Sequence, residues 1–169
     1  MHEWRDIAIR HGPLVWATAY RILQDHDEAA DCHQEVFVDA IRRATSEAIE
    51  NWPAFLRWLT VRRALDRLRR LQRVPAETSE VTNVAVEISP DREAEWIELL
   101  EFVRNELTRL PEQQAEVFWL HCVEEHSLTD VAQQLGLSAG NARVLLHRAR
   151  AKLREALDTR HAYFLEGRS

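Results

Sequence analysis

Seven arginines fall between Arg57 and Arg73 against a single acid, Asp66, and a second block from Arg143 to Arg154 carries five bases and no acid. Guanidinium groups at this density attract phosphate, and their planar fork also fits the edge of a guanine. Between the blocks, Val74 to Leu107 holds nine acids against two bases. The formal net charge of -6 therefore conceals two basic surfaces joined by an acidic connector. A third set is rich in acceptors: Asp31, Gln34 and Glu35 share one helical face, which serves either a basic partner or merely solvent. Metal-binding residue types also occur, in Cys32-His33 and in His121-Cys122 with His126 four positions beyond the cysteine. No third or fourth ligand is spaced nearby, so these read as core cysteines with unrelated histidines, and no metal is expected. A Gly-rich phosphate loop, a nucleophile elbow and a convergent acid pair are all missing from the sequence, so no catalytic residue, cofactor or enzymatic activity is expected.

The stretch from Ser127 to Arg154 reads as a helix, a tight turn and a second helix. Val131, Ala132 and Leu135 give the first helix an apolar face, with small Ala132 where two helices cross closely. Gly136 falls where such a turn needs a left-handed backbone, Leu137 fills the core, and Ser138 caps the second helix. That helix turns Ala142, Leu146, Ala149 and Leu153 inward and leaves Asn141, Arg143, His147, Arg148 and Arg150 on other faces. In a DNA-reading helix the first turns meet base edges and later bases meet phosphate. Asn141 and Arg143 are then the base readers, with Leu145 beside them against a thymine methyl or a protein partner. Arg148, Arg150 and Arg154 are the phosphate contacts. The alternative is a packed helical hairpin with a solvated basic face.

These residues must be positioned by helices. Only four Gly and five Pro occur among 169 residues, and Ala, Leu, Glu, Arg and Gln dominate, which predicts an all-α fold. Trp4, Ile7 and Ala8 start a short helix that Gly12-Pro13 is expected to interrupt, and Leu14, Ala17, Thr18 and Ile22 continue as a second helix to about Gln24. After a polar turn and N-cap at Asp25 to Asp27, a helix carries Ala29, Cys32, Val36, Phe37, Ala40 and Ile41 on one side. A long helix then runs from about Pro53 to Arg73 with Phe55, Leu56, Leu59, the stem of Arg63, Leu65 or Asp66, Leu68 and Leu71 along its stripe. From Val74 to Pro90 helical periodicity disappears, and the segment reads as an interdomain linker. Trp96, Leu99, Leu100, Val103 and Leu107 then mark one amphipathic helix, and Pro111 opens another with Ala115, Val117, Phe118 and Leu120. The expected organisation is a helical domain over residues 1–73, a linker over 74–90, a second helical domain over 91–160 and a tail over 161–169.

No apolar run approaches the ~18 residues that span a bilayer, so no membrane insertion is expected. The first twelve residues lack the basic flank and apolar core of a secretion signal, and two distant cysteines give no disulfide framework. A soluble cytoplasmic protein is the expectation.

Two longer matches now become visible. LPEQQAEVF at 110–118, the helix-turn-helix, and LHRARAKLR at 146–154 together resemble region 4 of the extracytoplasmic-function (ECF) group of sigma-70 family RNA polymerase sigma factors. DCHQEVF at 31–37 is similar to that family's Asp-x-x-Gln-Glu-x-Phe helix in region 2, and ALDRLRR at 64–70 matches the end of the next helix. The resemblance covers about residues 14–73 and 95–157, in the family's order. It implies promoter-specific transcription initiation, with core RNA polymerase (its β′ and β subunits) and promoter DNA as partners and an anti-sigma factor as a further candidate.

By that resemblance Asp31, Gln34 and Glu35 dock on the polymerase β′ coiled coil while Phe37 points to the core. The helix from Phe55 to Arg73 binds and melts the -10 element through Arg62, Arg63, Arg67, Arg69 and Arg70, with Trp52 and Trp58 as exposed aromatics able to stack on an unpaired base. The loop from Arg43 to Asn51 corresponds to the one that captures a flipped base. Ser138, Asn141, Arg143, Leu145, His147, Arg148 and Arg150 face the -35 element. The chain departs from the family pattern at Val61-Arg62, where Arg-Asn is common, at Arg143-Val144-Leu145, where Lys-Ser-Arg is common, and at Glu124-Glu125-His126, where a Gly is common. Two other readings use the same residues: a stand-alone helix-turn-helix regulator with an N-terminal dimerising or sensing half, and a pure protein-interaction module.

Overall fold

The Asp25 carboxylate accepts a hydrogen bond from the Glu28 amide at 2.9 Å and so starts the second of three helices that make up the first unit of the chain. The computed structural model describes residues 2–73 and 90–166. Every regular element among them is helical: α1 (His2–Leu23), α2 (His26–Ala44), α3 (Trp52–Arg73), α4 (Pro90–Leu107), α5 (Glu112–Phe118), α6 (Leu128–Gln134) and α7 (Ala139–Glu166). The chain divides into two compact units, α1 to α3 and α4 to α7. The expected linker, apart from Pro90, lies outside the described residues, as do residues 167–169. Most of the expected tail is not a separate segment, because α7 runs on to Glu166.

In the first unit each helix packs on the other two. Its core is Val15, Ala19 and Ile22 from α1, Ala29, Cys32, Val36 and Ala40 from α2, and Leu56, Val61, Ala64 and Leu65 from α3, all fully buried. The expected interruption at Gly12-Pro13 does not occur, and α1 continues through Pro13. A proline inside a helix costs roughly 3 kcal/mol. Each of Val15 and Ile22 recovers about 1.5–3 kcal/mol by burial on the same continuous stripe, so packing outweighs the missing amide bond. Phe37 is half-buried rather than in the core, and Ile41 is exposed, because α2 turns its Ala29-Cys32-Val36-Ala40 line inward. Asn51 accepts from the Ala54 amide at 3.1 Å and caps α3, which places Trp52 and Pro53 in its first turn. Burial on α3 takes in Trp58, Thr60, Val61 and Ala64 besides Phe55, Leu56, Leu59 and Leu65 of the expected stripe, as befits a helix packed on two neighbours, and Leu71 is exposed.

In the second unit α5, α6 and α4 all pack against α7. The expected α4 stripe is corrected: Trp96 and Leu99 are exposed, and burial begins at Phe102 and continues to Leu107. Helix α5 runs directly into a wider π turn over Trp119–Val123, in which the Glu124 amide reaches back to the Trp119 carbonyl at 3.0 Å. The wider turn lets two adjacent residues, Trp119 and Leu120, both enter the core. Trp119 is fully buried, and its indole N–H donates to Glu124 at 3.3 Å.

Candidate nucleic-acid and protein interfaces

The helix-turn-helix forms at the expected residues, although Leu137 is half-buried rather than in the core. Ser127 Oγ accepts from the Asp130 amide at 3.1 Å and opens α6. At its far end Gly136 takes φ +64°, the Leu137 amide donates to the Ala132 carbonyl at 2.8 Å, and the Gly136 amide donates to Gln133 at 3.2 Å. This is the paired closure that a glycine in the left-handed region makes possible. Ser138 Oγ then accepts from the Asn141 amide at 3.1 Å and starts α7. Upstream, Glu125 also lies in the left-handed region, at φ +58°. Within the Glu124-Glu125-His126 turn, the left-handed position is thus occupied by a residue with a Cβ.

On α7, Ala142, Leu146, Ala149 and Leu153 are buried as the spacing predicts. Asn141, Arg143, His147, Arg148 and Arg150 are exposed, and so is the Ser138 cap. Leu145 is a correction: it is buried beside Leu146, because position 145 lies three residues after Ala142 and four before Ala149. The exposed apolar residue of this segment is Val144, at 45%. Arg150 bends back, its Nη2 3.5 Å from the Cys122 sulfur in the π turn. Cys122 is exposed, against its expected place in the core, whereas Cys32 is fully buried. Among the described residues no group of three or more His, Cys, Asp or Glu side chains is placed to hold a metal ion.

The arginines of α3 divide by environment. Arg62 and Arg70 are exposed. Arg63 pairs with Asp39 of α2, and Arg69 pairs with Asp66 at 2.7 Å. Arg67 is drawn into a cluster on α2, where its Nε meets Glu28, its Nη1 meets Glu35 at 2.9 Å and its Nη2 meets Asp31 at 2.7 Å. Its side chain is only 15% exposed, so this arginine faces carboxylates, not solvent. Trp58 corrects the expectation of an exposed ring: it is buried, with the Arg43 and Arg62 guanidinium carbons 5.3 and 5.8 Å from its ring centre. Trp52 is half-buried, in edge contact with Trp4 at 5.4 Å and Phe55 at 6.0 Å.

On α2, Asp31 and Gln34 are exposed and Glu35 is half-exposed. The same face continues into Val38 and Ile41, which are 47% and 41% exposed. Positions 31, 34, 38 and 41 follow helical spacing, so one outward stripe changes from acidic to apolar along its length. The apolar half was hidden in the sequence because Ile41 reads equally well as core.

Three helices with a mixed acidic and apolar outer stripe, and a helix-turn-helix unit with a basic second helix, thus make up the two units of the described chain. The sequence profile of Sigma-70 region 2 matches residues 7–74, and that of Sigma-70, region 4 matches residues 103–153. The chain is 32% identical over 153 residues to the ECF RNA polymerase sigma factor SigM of Mycobacterium tuberculosis, covering 88% of this chain and 74% of that protein. It is 27% identical over 165 residues to the ECF RNA polymerase sigma factor SigW of Bacillus subtilis, covering 90% and 87%. Its fold is similar to that of the sigma factor RpoE from Bartonella quintana, solved in complex with the anti-sigma factor NepR, with a TM-score of 0.58 at 22% identity over 94% of this chain and 98% of that one. The chain belongs to the ECF group of sigma-70 family RNA polymerase sigma factors. Its function is promoter-specific transcription initiation as a subunit of RNA polymerase. Among the described residues no helix is long and apolar enough to cross a membrane.

Proposed function

We propose a division of labour in which α2 docks on the β′ coiled coil of core polymerase, α3 with the 45–51 loop handles the -10 element, and α7 reads the -35 element. The observation that carries the docking assignment is the α2 stripe of Asp31, Gln34, Val38 and Ile41, whose polar half offers acceptors and whose apolar half offers burial. Protein interfaces combine these two features at their rim and centre.

Of the five α3 arginines assigned to DNA from the sequence, Arg62 and Arg70 are the exposed ones and are the candidates for backbone phosphates. Trp52, at the start of the helix, is the better stacking candidate than Trp58, because it is half-buried where Trp58 is buried. On α7, Asn141, Arg143 and Val144 occupy the first turns, where side chains reach base edges, and Arg148 lies a turn further along, toward phosphate. The apolar reader is thus assigned to Val144 in place of Leu145. Strand opening would be driven by capture of single-stranded bases, so the protein works without catalytic chemistry of its own, in the cytoplasm where its polymerase is.

The Bartonella quintana neighbour is bound to an anti-sigma factor, and a partner of that kind is proposed for this chain as well. The test is reconstitution with core polymerase followed by run-off transcription across a promoter library. Transcripts that start at one class of promoter, and only with this subunit present, support the reading. Binding of the chain alone to a palindromic duplex, without any effect on polymerase, would instead support a stand-alone regulator.

A further inference from the structure

Arg67 belongs by sequence to the arginine block of α3, yet every nitrogen of its guanidinium is engaged by an acid of α2. Nε contacts Glu28 Oε2, Nη1 contacts Glu35 Oε1 at 2.9 Å, and Nη2 contacts Asp31 Oδ2 at 2.7 Å. Glu28, Asp31 and Glu35 lie at spacings of three and four on one face, so unpaired they would repel each other across a single turn. One guanidinium among three carboxylates offsets part of that repulsion and leaves the face negative. It also fixes side-chain rotamers. Arg67 takes one oxygen each from Asp31 and Glu35, and these side chains stay 63% and 44% exposed, so their second oxygens remain open to an incoming donor. Moving Arg67 to a DNA phosphate would break three charge-assisted contacts at once and strand the carboxylates.

We propose that Arg67 is a positioning residue for the polymerase-docking face, holding Asp31 and Glu35 ready for the arginines or lysines of the partner helix, and not a contact to the -10 element. This rests on the assignment of α2 as the docking face. Preorganised carboxylates lose less side-chain freedom when the basic partner arrives, so affinity is gained without a direct contact from Arg67.

The experiment measures the affinity of the full chain for core polymerase, and the salt dependence of promoter binding by assembled holoenzyme. Arg67→Ala should weaken core binding about tenfold, the scale of one coupled charge site. Arg67→Lys, which keeps the charge but lacks the fork, should fall between that variant and the parent. In an Asp31→Asn, Glu35→Gln background the Arg67→Ala change should cost nothing further. The salt slope of promoter binding should stay as in the parent, whereas loss of a phosphate contact lowers it by about one unit. If Arg67→Ala does not fold, the Lys variant and its coupling to Asp31→Asn, Glu35→Gln decide the question by the same comparison. Unchanged core affinity, additive losses, or a reduced salt slope would overturn the role assigned to Arg67. A triple Ala variant at Asp31, Gln34 and Glu35 separates the two levels. If it keeps full affinity, the docking assignment fails; if it loses affinity while the Arg67 variants do not, only the positioning role fails.

Discussion

The guanidinium carbon of Arg43, at the end of α2, lies 5.3 Å from the centre of the Trp58 ring in α3, and Arg43 Nε also donates to Glu47 at 3.2 Å in the following loop. One side chain thus ties a buried aromatic to the segment that leads into Trp52. Trp58→Ala should destabilise the first unit by about 3–5 kcal/mol, as expected for emptying a large buried site. Arg43→Ala should cost only about 0.5–1 kcal/mol. Urea unfolding of the full chain checks both. A Trp58→Ala protein of parental stability that fails only in promoter melting would mean that the ring acts on DNA directly.

A second expectation concerns Glu125 at φ +58°. A side chain in the left-handed region costs roughly 1–2 kcal/mol, part of which glycine gives back in chain entropy. Glu125→Gly should therefore raise the stability of the second unit by about 0.5–1 kcal/mol, read as a shift in thermal midpoint. A lower midpoint would show that the carboxylate makes a contact worth more than the strain.

The first unit should also respond to pH. His33 is half-buried against the ring of Phe37 at 5.1 Å, and burial holds its pKa below the ordinary 6.5, opposed by a hydrogen bond to the Gly12 backbone. His11 is shifted the same way, by burial and by Arg10. Both groups take up protons more readily in the unfolded chain. Their contribution to stability is therefore present above pH 6.5 and declines as pH falls through 6.5 toward the folded values. Urea midpoints between neutral and mildly acid pH should fall, and His33→Gln should flatten the decline; an unaltered slope in that variant would assign the effect elsewhere.

The proposed role of α7 predicts that base reading and phosphate clamping fall on different residues. Arg143→Ala should cost about 1–3 kcal/mol and relax preference at one or two -35 positions. Arg148→Ala should weaken all promoters alike and reduce the salt slope by about one unit. Leu145→Ala should act on stability, by about 2–5 kcal/mol, and leave base preference alone. Holoenzyme binding to promoter variants at several salt concentrations, with unfolding data alongside, reads all three. Altered base preference with Leu145→Ala, or with Arg148→Ala, would mean that α7 enters the groove on a different face.

Much of this organisation was legible before any coordinates, because caps and glycines are local instructions. Asp25, Ser138 and Gly136 each act within five residues of themselves, and each performs the expected role, while the Ser127 cap of α6 is of the same local kind. What periodicity could not settle was how wide each buried arc is. Trp58 sits on a helix packed against two neighbours, and Leu145 lies next to an inward leucine, so both are buried where a narrow stripe would expose them. Pro13 misled for a related reason, since a local breaking signal was outweighed by core contacts distant in sequence. Arg67 was beyond pattern reading altogether: its partners lie 32 to 39 positions away, and an arginine among arginines carries no mark of being paired. The π turn at Trp119 and the outward Val38 and Ile41 were likewise fixed by tertiary packing.

The contrast between the two cysteines has a practical side. Cys32 is fully enclosed, and burial, helped by Glu35, pushes its thiol up to about 12, so at neutral pH it offers almost no thiolate to an electrophile. Cys122 is open to solvent and touches Arg150 of the recognition helix. To a maleimide dye the native chain therefore presents one handle, beside Arg150 on the helix proposed for the -35 element. A fluorophore attached there would report promoter engagement on the unmutated protein, with no cysteine to remove or introduce.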